Sequence, residues 1–379
     1  MDPTLSLLKD LVAIDSVNPT LVPGAAGEQA IARRLATELI DLGLRVEVTD
    51  VVSGRPNVVG VLEGRAPGRS LMFCGHIDTV GVAGMAAPFD PVERGGRVYG
   101  RGSQDMKGGV AAMIGAVRQI AATGGLEHGR VIVACVVDEE HSSIGADALV
   151  TTWRADAAVV TEPTDLAIAV AHKGFQWVEV ETRGRAAHGS RPREGRDAIL
   201  RMGRVLAGLE AVDRRLQAGR AHPLLGTASL HASLIQGGRE LSSYPDRCVL
   251  QLERRTLPGE ADGAALDEAS AILADARRAD DEFEAEARAM FTRPPYEIDA
   301  NHPLPQALKA AAASVGEAAP IGGMSFWTDA AVLAGAGIPS VLFGPGGAGL
   351  HSIEEYVIMR DVIVCRDALA ALARRMTRG

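Results

Sequence analysis

Hydrophobic positions follow two rhythms along the first half of the chain. "GEQAIARRLATELIDLG" (27–43) repeats apolar residues at helical spacing and stops at glycine. "LRVEVTD" and "NVVGVLEG" alternate or run apolar, as strands do, and "RSLMFCG", "RVIVACVVDEE" and "DAAVVTEP" are short, wholly apolar runs that end in polar residues. Between them, "MKGGVAAMIGAVRQIAATGG" reads as a helix that opens on glycines. Strands apolar on both faces, separated by helices, predict a mainly parallel sheet covered by helices on both sides. After "HKG" the rhythm changes. "FQWVEVETRG", "TASLHASLI", "RCVLQLERR" and "EFEAEARAMF" are strands of the half-exposed kind, interleaved with helical patterns over 193–217 and 263–280. That order, βαββαβ, is the split βαβ (ferredoxin-like) layout, one antiparallel sheet with two helices on one face. The first style resumes with "QALKAAAASVG", "IPSVLFG" and "VCRDALAALARRM". The expected organisation is a catalytic domain in two parts, 1–173 and 291–379, with a second domain, 174–290, inserted between them.

Length and composition agree with this picture and narrow the function. The chain has 379 residues, 47% hydrophobic and 23% charged, with a net charge of −9. That balance argues against a nucleic-acid partner, which needs a basic face. No apolar run approaches the ~20 residues of a bilayer span, and the start lacks a basic n-region. Cys74, Cys135, Cys248 and Cys365 are far apart and read as free thiols of a reducing cytoplasm.

Candidate chemistry collects where the apolar strands stop. In an open parallel sheet, ligands bind beyond the carboxyl ends of the strands. One strand ends in His76 and Asp78, another in Asp138, Glu139 and Glu140, and a third in Glu162. The loop "YGRGSQDMKGG" offers Asp105, and "SVLFGPGGAGLHS" offers His351. Singly, each has a plainer reading: a turn for HxD, a solvated helix start for the acid pair, a helix cap for Asp105, a loop for Glu162, a helix entry for His351. Together they place histidines and acids on one rim. Crowded carboxylates repel, and divalent cations relieve them; histidine with carboxylate is an ordinary zinc set. Asp105, Glu140 and Glu162 against two dications leave a positive charge to hold and acidify a water. Glu139 is then a spare general base, and Asp78 orients His76 through its second ring nitrogen. "GPGGAG" (344–349) matches a dinucleotide fingerprint in form only, because Pro345 interrupts it and no apolar helix follows directly.

With these residues assembled, the chain resembles the metallopeptidase family of acetylornithine deacetylase, succinyl-diaminopimelate desuccinylase, aminoacylase and glutamate carboxypeptidase. The markers are "GHIDTV", "GRGSQDMKGG", "DEEHSSIGA", "TEPTDL", "HKG", "GRAAHGSRP", "ERRTLPGE" and "FGPGGAGLHSIEEYV". The resemblance implies two Zn²⁺ per chain, with Co²⁺ or Mn²⁺ able to occupy the same ligands. His76, Asp105 and Glu162 would hold one ion, and Asp105, Glu140 and His351 the other. It also implies that the inserted domain is a lid and homodimerisation module, that His188 reaches the partner's active site, and that Arg255 faces a substrate carboxylate. Arg293 is either a second carboxylate partner or a surface arginine. Ser242 stands where the family usually has asparagine. Trp327 either lines the pocket or is a core tryptophan. The expected activity is removal of an acyl group from a small N-acyl amino acid. A dipeptidase, aminopeptidase or carboxypeptidase is the rival, but one acting on a free amino terminus needs a spare acid for the ammonium, and the sequence shows none. A non-catalytic binding protein of the same fold is the rival from another class.

Overall fold

The computed structural model describes residues 2–378. The chain divides into two units, one of Met1–Val170, Ile298–Gly323 and Thr328–Gly379, the other of Ala171–Glu297 with Met324–Trp327.

In the first unit the strand Ala66–His76 is central. It runs parallel to His128–Val136 on one side and to Ala157–Val160 on the other, and Ser340–Leu342 continues the parallel set. Antiparallel strands extend both ends: Arg55–Glu63 and then Arg45–Val52 beyond His128–Val136, and Ile168–His172 beyond Ser340–Leu342. Successive side chains of a strand point to opposite faces. Leu71 and Phe73 point one way, Met72 and Cys74 the other, and all four are fully buried. The sheet is therefore covered on both faces, which is why these strands lack alternation. Helices Gly108–Ala122 and Met359–Met376 pack on each other and on the central strand. The first of these helices begins so close to the sheet that a Cβ on Gly109 would lie 1.9 Å from the Thr161 carbonyl oxygen. Only glycine lets that helix press on the backbone just before Glu162.

The second unit is one antiparallel sheet in the order Ser229–Gly237, Arg247–Thr256, Gly174–Arg183, Glu284–Arg293. Helices Ala198–Gln217 and Ala264–Ala279 share a core with one of its faces. Along Arg247–Thr256 burial alternates residue by residue, as a sheet covered on one face requires. This unit is wider than the expected 174–290. Its last strand runs on to Arg293, Tyr296 and Glu297 pair with His172 and Ala171, and Trp327 packs edge-on to Phe175.

A small third sheet was not foreseen. Val92–Arg94, Arg97–Tyr99, Gly347–Ala348 and Tyr356–Ile358 pair antiparallel, with the Arg97 guanidinium 4.4 Å from the Tyr356 ring centre. Among the described residues, no helix is long and apolar enough to cross a membrane.

Candidate metal centre

His76 is the last residue of the central strand and is buried. Its Nε2 lies 3.0 Å from Asp105 Oδ1 and 4.0 Å from both Glu139 Oε2 and Glu162 Oε1. The other oxygen of Asp105, Oδ2, faces His351 Nε2 at 3.5 Å, and that nitrogen is 3.1 Å from Glu140 Oε2. Five of the six side chains form two groups with ligand atoms within 4.8 Å of one another: His76 with Glu139 and Glu162, and His76 with Asp105 and Glu140. Distance alone does not separate Glu139 from the ligands, since it stands as near His76 as Glu162 does.

The strand ends explain this convergence. After Val136 the chain reaches Asp138, whose φ of 70° turns the backbone sharply. The amides of Ser142 and Ser143 donate to the Asp138 carbonyl and close the turn that presents Glu139 and Glu140. Asp78 faces His76, as expected, and also has a second part. His76 Nδ1 lies 3.0 Å from the Asp78 backbone carbonyl and 3.5 Å from its carboxylate. The carboxylate also accepts the backbone N–H groups of Glu139 at 3.1 Å and Glu140 at 3.2 Å. It therefore holds the two glutamates as well as facing the histidine, whose closer contact is the Asp78 carbonyl. Asn18 supports it, donating from Nδ2 to both Asp78 at 2.8 Å and Asp138 at 3.0 Å. Arg55 neutralises Asp138 from 2.8 Å and is itself paired with the buried Glu28.

These groups perturb one another strongly. Burial pushes the Glu139 and Glu162 carboxyls well up, and neighbouring acids add to this against the opposing pull of His76. Burial and the Asp105 charge raise Glu140 to about 7. Burial opposes the charge on Asp105 too, but hydrogen bonds from His351 and His76 overcome it and hold that carboxyl below the usual range. His76 loses hydration by burial, yet Asp105 and Asp78 raise it well above an ordinary histidine. Hydrogen bonds to Asp105 and Glu140 raise His351 to about 10. The acids and histidines of the cluster therefore shift one another in opposite directions. One atom is left out: Glu162 Oε1 is buried and has no hydrogen-bond partner among the described residues. A buried carboxylate oxygen without a hydrogen bond, beside a histidine and other acids, fits a cation, which would satisfy that oxygen.

The remaining expected site residues lie in the second unit. His188 is exposed, and its Nδ1 accepts the Ser190 N–H at 3.2 Å. The Ser242 carbonyl accepts the Gly189 N–H at 2.7 Å, and His188 bridges antiparallel to Ser243, so the two segments lie side by side. Arg255 donates from Nε to Glu253 at 2.7 Å and lies over the Phe175 ring. Arg293 stacks between Phe291 and Trp327, 5.2 and 5.3 Å from their ring centres. Trp327 is 8% exposed and donates from Nε1 to the Pro294 carbonyl.

Two residues escaped the sequence reading. Asn18 looks like a loop residue before Pro19, and only the fold brings it between two buried acids. Asp329, in "TDA", is 1% exposed, and its charge helps to raise Glu139 and Glu162.

Acids that need a dication, set on the carboxyl edge of a parallel sheet, define the class: a metal-dependent hydrolase of α/β architecture. Residues 72–375 match peptidase family M20/M25/M40, and the chain belongs to that family. It is 30% identical to N-formyl-4-amino-5-aminomethyl-2-methylpyrimidine deformylase of Bacillus subtilis (strain 168), over 95% of this chain and 91% of the relative. It is 31% identical to acetylornithine deacetylase of Myxococcus xanthus, over 83% of this chain and 82% of the relative. Its fold is similar to that of the Bacillus subtilis YXEP protein, described as a dinuclear metal binding peptidase. The TM-score is 0.75 at 18% identity, covering 99% and 97% of the two chains.

Proposed function

We propose that this enzyme removes the acyl group from a small N-acyl amino acid, using two Zn²⁺ ions. The observation that carries the reading is Asp105. Its two oxygens face different histidines, His76 and His351, as a carboxylate bridging two ions would. In this reading His76 and Glu162 complete one ion's shell, and Glu140 and His351 the other's. The ions, when bound, polarise the scissile carbonyl and acidify a water. Glu139 takes the proton of the attacking water and returns it to the leaving amine nitrogen. Asp78 keeps Glu139 and Glu140 at a fixed spacing through their amides. His188 of the neighbouring subunit donates to the carbonyl oxygen as charge develops there, and Arg255 forms a fork on the substrate carboxylate. Arg293 and Ser242 belong to the same recognition surface. Relatives that remove formyl and acetyl groups support an acyl-amide substrate.

The test is a hydrolysis screen of acetyl, succinyl, formyl and aromatic acyl amino acids against free dipeptides. The acyl amino acids are expected to turn over. Arg255→Ala should raise their KM about 10- to 100-fold, the worth of one charged hydrogen bond, while sparing acyl amines that lack the carboxylate. Cleavage of dipeptides alone would replace this reading with a peptidase. Asp329 favours that second reading as an acid near the cluster, but its burial counts against it as an ammonium acceptor.

A homodimer through the lid accompanies the proposal. Strand Ser229–Gly237 is an edge of its sheet, and Leu234 and Ile235 stand 66% and 54% exposed on it. Ile199 meets the same strand near Gly237, and the neighbouring Leu200 is 73% exposed. An unpaired apolar edge invites pairing with a second copy. Sedimentation is expected to return twice the monomer mass, and Leu234→Lys should shift it toward one. The four cysteines, all buried and free, suit the cytoplasm.

A further inference from the structure

We infer that Glu355 is a positioning residue that sets the spacing of the two-ion centre by gripping the loop that carries Asp105. Its carboxylate is 1% exposed and fully engaged. Oε1 accepts the backbone N–H groups of Gln104 at 2.9 Å and Asp105 at 3.1 Å. Oε2 accepts the N–H of Gly102 at 3.0 Å and Nη1 of Arg101 at 2.6 Å. Three amides of one loop point at a single buried side chain, and Arg101 balances its charge. Gly102 permits the curl with a φ of 78°, where a Cβ would meet Thr79 Cγ2 at 2.6 Å.

The other half of the grip reaches His351. Arg101 donates from Nη2 to the carbonyl of Ser352, the residue after His351, at 2.9 Å. The Gly100 amide donates to the Glu355 carbonyl at 3.1 Å, and Tyr356 pairs with Tyr99 in the small sheet. One ion pair, Arg101 with Glu355, therefore ties the Asp105 loop to the His351 segment, which is otherwise far away in sequence. Backbone hydrogen bonds to a carboxylate are directional. They fix the Asp105 peptide, and hence the direction from which its side chain enters the cluster. His76, Glu162 and Glu140 sit on other strand ends and do not depend on this grip. Asp105 serves both ions, but the same grip also reaches the segment of His351 through Ser352, so Glu355 acts more on the ion between Asp105, Glu140 and His351 than on the other. This inference rests on the two-ion reading above.

The experiment is a Co²⁺ titration of chelator-treated wild type, Glu355→Gln and Glu355→Ala, followed by calorimetry and visible absorption, with circular dichroism as the control for folding. Glutamine keeps the size, but its NH₂ cannot accept from Gly102 and Arg101. Wild type is expected to bind two ions. In Glu355→Gln one ion should bind within a few-fold of wild type, and the other should weaken about 10- to 100-fold, as for other outer partners of metal ligands. Its absorption band should change as well. Two ions bound by the glutamine variant with unchanged affinities and spectrum would overturn the inference while leaving the two-ion reading intact. Fewer than two ions in wild type would remove that reading instead, and the inference with it. Failure of both variants to fold would overturn the positioning role in favour of a structural one.

Discussion

Glu139→Gln is expected to lower turnover about 10²- to 10⁴-fold, the usual range for loss of a general acid–base group, while metal content stays that of the wild type. The reasoning starts from the backbone. The Glu139 amide is held by Asp78 at 3.1 Å, and glutamine leaves that bond in place. Burial pushes the Glu139 carboxyl well up, and the amide of glutamine matches that carboxyl in size. What is lost is the ability to take a proton and give it back. Metal analysis alongside steady-state kinetics checks this. Because Glu139 lies as near His76 as Glu162 does, metal content is the decisive readout. A variant that loses an ion together with its activity would make Glu139 a ligand. Unchanged turnover would remove it from the mechanism.

Chelation is expected to abolish hydrolysis, and the thermal stability lost with the ions should grow as pH rises. The sign follows from the shifted groups of the cluster. Glu140 titrates near 7 in the ion-free fold, above its unfolded value, so that fold weakens as pH climbs toward and past 7. His351, raised to about 10, stabilises the ion-free fold fully below an ordinary histidine pKa, and this contribution fades as pH rises through 10. Bound ions displace those protons, so metal affinity must increase with pH. At a free ion concentration about 100-fold above Kd the gain is about 2.7 kcal/mol. Thermal scans of loaded and chelated protein between about pH 6 and about pH 8 should show a widening gap in Tm. Calorimetric titration in buffers of different ionisation enthalpy should show proton release. A gap that narrows with pH would contradict this sign.

Much of this fold was legible because its strands are extreme cases. Val131–Val136 and Leu71–Cys74 are apolar at every position, which only a doubly covered sheet tolerates, and the alternation of Arg247–Thr256 marks a sheet covered once. The small sheet was illegible. Its strands are two or three residues long, too short for a period, and pairing across some 250 residues holds them in place. Asp78 shows a finer limit. Its place two residues after His76 marked it as a partner, but whether carbonyl or carboxylate comes closer to the ring depends on where Glu139 and Glu140 arrive. The same holds for Trp327, whose size suited a pocket wall or the core alike, and whose contacts with Phe175, Arg293 and the Pro294 carbonyl come from segments the sequence does not place together.

The chain by itself determined the layers and the kinds of side chain available at each strand end. Those depend on local periodicity and on chemistry that a residue carries wherever it goes. Only the tertiary structure decided that Asp105 turns one oxygen to each histidine, that Asn18 joins two buried acids, and that Glu355 holds the Asp105 loop. Such facts are distances between segments remote in sequence, and burial and charge compensation set them once the segments have met.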